Sequence, residues 1–170
     1  EYRLDFKMHK FSKPIISILD GIVMGGGAGL MFGSSYKIST ERTRFAMPEI
    51  GVGLFPDVGF TSIIKTLPKG LGLYMMLTST QLTASDTVFC DLTNASINSK
   101  DIDRLLTDMT KQIWHDEPEE NIAMIDSLVK KNSYADKIKE LPESKIMKEI
   151  DKIQSLTDEQ ELTKVCSNIL

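Results

Sequence analysis

The stretch Met24-Gly25-Gly26-Gly27-Ala28-Gly29-Leu30 constrains the fold of this chain more than any other. So much glycine suits a place where the backbone adopts angles closed to other residues and comes close to something else. Upstream, Ile15-Ile16-Ser17-Ile18-Leu19, closed by Asp20-Gly21, is a β-branched run that reads as a buried strand. Downstream, Ala28 to Phe32 reads as a short buried helix. A glycine turn at a helix N-terminus leaves main-chain N–H groups without partners, and these can stabilise a developing oxyanion. A plain tight strand-to-helix turn suits the same residues, and both readings stay open. The motif is neither GxGxxG with a ribose-binding acid in register nor GxxxxGK followed by Ser or Thr, so nucleotide-phosphate cradling is set aside.

The second informative stretch is Phe45-Ala46-Met47-Pro48-Glu49-Ile50-Gly51-Val52-Gly53-Leu54-Phe55-Pro56-Asp57-Val58-Gly59, an apolar loop whose two charges are both carboxylates. Desolvation or a neighbouring acid tunes a carboxyl towards general acid or base work, which makes Glu49 and Asp57 candidate catalytic residues. The intervening glycines and Pro56 allow the loop to fold back on itself. As plain structural roles, Glu49 would cap a backbone N–H and Asp57 would cap a helix starting near Val58.

Composition narrows the classes. The chain has 170 residues, 41% hydrophobic and 26% charged, the profile of an ordinary domain with a real core. With a net charge of −4 it has no cation excess for nucleic acid or an anionic membrane. The longest apolar candidate for a membrane span, Ile15 to Leu30, is broken by Asp20 and five glycines, so a soluble chain is expected. Cys90, Cys166, His9 and His115 stand too far apart in sequence to suggest a metal site. Glu1 in first position, with an opening that reads as the interior of a helix, predicts a piece of a longer protein.

Residues 13 to 97 hold most of the glycines and four of the six prolines, among short apolar runs typical of an α/β core. Tyr36 to Ser39 and Phe45-Ala46 read as extended, and Thr61 to Leu67, Leu71 to Thr78 and Ala84 to Phe89 as helices. Beyond Asn98 the chain reads as helical and charged. Ile102, Leu105, Leu106, Met109 and Ile113 form one amphipathic stripe, and Ile122, Ile125, Leu128 and Val129 a second. Ile113 and Trp114 are expected to close a helix against the core. Glu117, Glu119 and Glu120 read as a solvated helix start, and Thr157-Asp158-Glu159-Gln160 as a capping box opening a last helix.

Met24-Gly25-Gly26-Gly27, then Met47-Pro48-Glu49, then Gly53-Leu54-Phe55-Pro56-Asp57-Val58-Gly59 together resemble the signature of 3-hydroxyisobutyryl-CoA hydrolases in the enoyl-CoA hydratase/isomerase (crotonase) superfamily. The resemblance runs from Glu1-Tyr2 to about Asn98. It implies an α/β fold, a spiral of ββα turns of which residues 1–97 are a partial copy, followed by a helical region over 98–170. It implies an acyl-CoA substrate, no metal or redox cofactor, and a place in valine breakdown in the mitochondrial matrix. The thioester carbonyl would lie between two backbone N–H groups, one from the Gly25-Gly26 turn and one from a loop upstream of Glu1. Glu49 corresponds to the nucleophile or base, Asp57 to the general acid that contacts substrate, and Glu1 to a further substrate-contacting acid. Two departures matter. Hydratases carry a second acid just after the glycines, where this chain has Ala28-Gly29, and this favours hydrolysis. The hydrolases continue with glycine after Asp-Val-Gly, whereas Phe60-Thr61 stands here and is expected to narrow the acyl pocket. Enoyl-CoA hydration or isomerisation, or a non-catalytic structural subunit, are the alternatives.

Overall fold

The computed structural model describes residues 1–131, 141–159 and 161–169. Six short strands are found among them: β1 (Ile16–Leu19), β2 (Ile22–Met24), β3 (Tyr36–Thr40), β4 (Arg44–Ala46), β5 (Leu82–Thr83) and β6 (Ala95–Ile97). The helices are α1 (Tyr2–His9), α2 (Gly26–Phe32), α3 (Phe60–Ile63), α4 (Leu71–Thr78), α5 (Ala84–Phe89), α6 (Ile102–Thr110), α7 (Pro118–Lys131), α8 (Lys145–Thr157) and α9 (Leu162–Ile169). None of the described helices is long and apolar enough to cross a membrane.

Consecutive strands go to different sheets. One sheet is ordered β1-β3-β6 and the other β2-β4-β5. β1 pairs with β3 and β2 with β4, both in parallel, so the unit β1-β2-α2 stacks on the unit that begins with β3-β4. A polar corner fixes the stacking. Thr43 Oγ1 donates to the carbonyl of Leu19 at 2.5 Å, Thr40 Oγ1 donates to Asp20 at 2.8 Å, and the Arg42 guanidinium grips the Asp20 carboxylate. The two turns, Asp20-Gly21 and Glu41 to Thr43, are thereby locked one above the other.

Two cores flank this scaffold. In the first, Phe32 meets Phe45 edge-on, with ring centres 6.0 Å apart, and stacks on Phe60 at 6.1 Å. Met31, Leu71, Met75, Ile146 and Ile153 complete it, which gives the buried methionines the filler role their flexible side chains suit. In the second, Tyr36 and Ile38 of β3 pack against Leu105 of α6 and Ile125 and Val129 of α7. The second stripe faces the sheet, and the first does so through Ile102, Leu105 and Met109 while Leu106 and Ile113 stay exposed; the Tyr36 hydroxyl adds a bond to Asp126 at 2.9 Å.

Four expectations need correction. The helix expected over Thr61 to Leu67 is α3 followed by a separate 3-10 turn, Ile64–Thr66. Thr157 is the last residue of α8, where its hydroxyl donates back to the Ile153 carbonyl at 2.8 Å, so it opens no capping box; Gln160 lies outside the described residues. Ile113 and Trp114 do not close a helix. α6 has ended at Thr110, and the loop after it is pinned by Asn121, whose amide bonds both the N–H and the carbonyl of His115. That leaves Ile113 86% exposed. Of Phe60-Thr61, Phe60 is fully buried in the aromatic cluster and does not line the cleft beside Asp57, whereas Thr61 does.

Candidate active site

Strand pairing assembles the site. The register Met24↔Ala46 places the residues that follow β2, Gly25 and Gly26, beside those that follow β4, Met47-Pro48-Glu49. Gly25 takes φ 51° and ψ −125° at the head of α2, a conformation that few L side chains adopt. The N–H groups of Gly26 and Gly27 make no hydrogen bond among the described residues. Glu49 opens a 3-10 turn, Glu49–Val52, and a Cβ built on Gly25 would lie 3.9 Å from its Oε1. Its side chain is only 7% exposed, and neither carboxylate oxygen has a partner among the described residues. Glu49 is therefore no backbone cap. A buried acceptor of this kind is costly to leave unmet, and such groups concentrate where a ligand will meet them.

α1 forms the other wall. Glu1, Asp5 and Met8 lie against Gly26 and Gly29 of α2 and Gly33 at its end so closely that a Cβ on Gly26 would collide with the Glu1 carboxylate. A Cβ on Gly33 would lie 2.8 Å from the Cβ of Met8. The glycines therefore also form a smooth stripe on which α1 seats. The spacing Gly26, Gly29, Gly33 is the helical signal that would have revealed this, and α1's contribution with it.

Asp57 does not cap a helix either. The head of α3 is Gly59 with no side-chain cap, and Asp57 Oδ2 instead accepts a hydrogen bond from the Tyr2 hydroxyl at 2.5 Å. This bond raises the Tyr2 pKa above its ordinary value, with the Asp57 charge adding to it. Glu49, Gly25, Gly26, Glu1, Tyr2 and Asp57 thus form one continuous run of neighbours. All five residues singled out in the sequence lie on it. Tyr2 and the buried Asp5 were not anticipated.

Stacked ββα turns with a glycine-led helix facing a buried acid define a protein of the crotonase fold. The chain belongs to the enoyl-CoA hydratase/isomerase family, whose model matches residues 1–170. Among curated relatives, "Probable 3-hydroxyisobutyryl-CoA hydrolase 3" of Arabidopsis thaliana is 42% identical over 111 residues, 65% of this chain and 29% of that protein. The mitochondrial 3-hydroxyisobutyryl-CoA hydrolase of Xenopus tropicalis is 33% identical over 169 residues, 99% of this chain and 43% of that protein. "Small ribosomal subunit protein mS47" of Neurospora crassa is 37% identical over 105 residues, 62% of this chain and 21% of that protein. The chain thus spans less than half the length of these relatives. Among solved structures, a carnitinyl-CoA dehydratase from Mycobacterium thermoresistibile superposes with a TM-score of 0.79 at 26% identity, over 99% of this chain and 45% of that one.

Proposed function

We propose that the protein hydrolyses a short 3-hydroxyacyl-CoA thioester, 3-hydroxyisobutyryl-CoA as the first candidate, to the free hydroxy acid and CoA. The observation that carries this reading is the buried Glu49 carboxylate, without a partner among the described residues, beside the helix head whose Gly26 and Gly27 N–H groups make no hydrogen bond among those residues. The Gly26 N–H receives the thioester oxygen as charge grows on it, a contribution of about 3 to 4 kcal/mol per donor in such sites. Glu49 either takes the proton of an attacking water or adds to the carbonyl carbon itself to give an anhydride that water then opens. In both routes the C–S bond breaks and sulfur leaves as thiolate; Asp57, after taking up a proton from solvent, passes it to sulfur, while the proton that water loses leaves to solvent by way of Glu49 or the product acid. Tyr2 holds Asp57 in place for this, and Glu1 lies against the same glycine turn as a substrate contact. Water, two acids and backbone donors suffice, so the reaction calls on no metal or redox cofactor. The mitochondrial hydrolases among the animal relatives support a mitochondrial setting; a place in the matrix and on the route of valine breakdown follows from the family resemblance alone.

The deciding experiment measures, on the full-length protein, CoA release from a panel of 3-hydroxyacyl esters alongside hydration of the matching enoyl esters. Release without hydration is expected. Hydration without release would replace this reading by the hydratase one, which the likeness to a dehydratase keeps in view. The likeness to a ribosomal subunit protein favours a second, non-catalytic reading. Neither release nor hydration, together with co-sedimentation with ribosomal particles, would establish it.

A further inference from the structure

Each turnover proposed above uses a proton at Asp57, and that proton has to come from solvent. Tyr2, at the head of α1, and Asp57 face one cleft of about 450 Å³, which Phe55, Thr61 and His9 also line. The Tyr2 hydroxyl donates to Asp57 Oδ2 at 2.5 Å, the short separation of a hydroxyl on a carboxylate. The fold fixes both partners. α1 is seated with Glu1 against Gly26, Asp5 against Gly29 and Met8 against Gly33. Asp57 opens a tight turn in which Val58 and Gly59 take φ 44° and 85°, and the Phe60 N–H closes it on the Asp57 carbonyl at 2.9 Å. The two residues differ in their access to water: Tyr2 is 63% exposed, whereas Asp57 is half-buried. An acyl group seated in the cleft covers Asp57 and leaves the outer side of Tyr2 wet. The other titratable side chains of the cleft are poorly placed to carry a proton. Both Asp5 carboxylate oxygens are sealed from solvent, and His9 makes no hydrogen bond to Asp57. The bond to Asp57 and the charge beside it raise the Tyr2 pKa, so a free tyrosinate is disfavoured and the hydroxyl has to gain one proton as it gives up another. A phenol can do so, since its oxygen accepts while its O–H donates.

We propose that Tyr2 is a positioning residue with a proton-relay role: it orients Asp57 and recharges it from solvent while the cleft is occupied. The Tyr2 O–H bond breaks as its proton passes to Asp57 Oδ2, and in the same step a water or buffer acid outside the cleft gives a proton to the phenol oxygen. Tyr2 is left unchanged, and one proton has moved from solvent to Asp57. The carboxyl group then turns about its Cβ–Cγ bond and presents that proton to sulfur. The inference rests on the hydrolase reading above, in which Asp57 is the acid.

The test measures CoA release from a 3-hydroxyacyl ester by full-length wild type and Tyr2→Phe, over a range of imidazole buffer concentrations at constant pH and ionic strength. In dilute buffer Tyr2→Phe is expected to lower kcat about tenfold or more while KM stays within about threefold. Its kcat should climb towards the wild-type value as buffer is added, because imidazolium then supplies the proton, whereas wild type should be indifferent to buffer. Loss of a purely structural hydroxyl would not be repaired in this way. If Tyr2→Phe does not fold, wild type in mixtures of light and heavy water decides the matter: two protons moving in one step make kcat fall below a straight line drawn against deuterium content. A folded Tyr2→Phe with wild-type kcat, a loss of kcat that buffer does not restore, or a straight line in the isotope mixtures overturns the relay. Wild type that releases no CoA from any hydroxyacyl ester is a different result: it overturns the hydrolase reading, and the relay with it.

Discussion

Glu49 and Asp57 share one apolar loop but meet opposite conditions, the first sealed off and without a partner among the described residues, the second half-buried and gripped by Tyr2. Glu49→Gln removes the charge with little change of shape. It should lower turnover by at least about a hundredfold, the scale of lost general-base catalysis, while CoA-ester binding stays within a few-fold. Retained activity in that variant would remove Glu49 from the reaction. Asp57→Asn should harm 3-hydroxyacyl esters more than matching esters without the hydroxyl, because a site built to bond a hydroxyl is penalised when the bond is lost. Equal losses on both would reduce Asp57 to a structural acid. These two acids were legible in the sequence because charges are rare in so apolar a loop. Asp5 was not, because an acid near the start of a helix ordinarily faces water. Its side chain lies against Gly29, which is distant in sequence.

Among the elements, those with enough residues to show a period were legible: β1, β3, α4, α5 and the stripes of α6 and α7. β2, β5 and β6 have three, two and three residues, too few for alternation to register, and exist through pairing with β4 and β3. The seating of α8 was hidden for a similar reason. Asp86 is 1% exposed, and its side chain accepts from the N–H and hydroxyl of Thr83 at the head of α5. It also accepts from the Ser144 hydroxyl at 2.7 Å and the Ile146 N–H at 3.0 Å, at the head of α8. Burial works against the charged form, but these donors outweigh it and hold the Asp86 pKa below its ordinary value. A depressed carboxyl contributes stability that is present above its unfolded-state pKa and is lost as pH falls through the folded value. Asp86→Asn should therefore cost about 1 to 3 kcal/mol at neutral pH, and distinctly less below about pH 3. Asp20, Asp126, Asp158 and Glu41 are also depressed, so part of the acid sensitivity remains in the variant. Urea unfolding of both proteins at pH 7 and pH 3 measures the difference, and an equal gap at the two values would show that Asp86 is not the titrating joint.

At the scale of the molecule, both sheets stop at the same place in the chain order: β1 is the outer strand of one sheet and β2 of the other. Beside them a furrow of about 400 Å³ runs between β1, β2 and α2, lined by Ile18, Ile22, Leu30 and Met31 among others. Ile22 is 78% exposed and Leu30 42%, and unpaired strand edges with an apolar flank are where further chain is ordinarily added. A further ββα turn would pair in parallel with β1 and β2 just as they pair with β3 and β4. On the hydrolase reading proposed above, such a turn would carry a second N–H donor for the oxyanion. Residues 1–170 alone should therefore show little thioesterase activity, since loss of one donor costs about a hundred- to a thousandfold in rate. They should also bind a hydrophobic dye at the open edge more than the full-length protein does. The two are compared on one hydroxyacyl-CoA ester at equal concentration. Turnover by residues 1–170 at more than about a tenth of the full-length rate, well above what loss of a donor permits, would mean that the Gly26 N–H serves without a second donor, and the two-donor account of the site would fall.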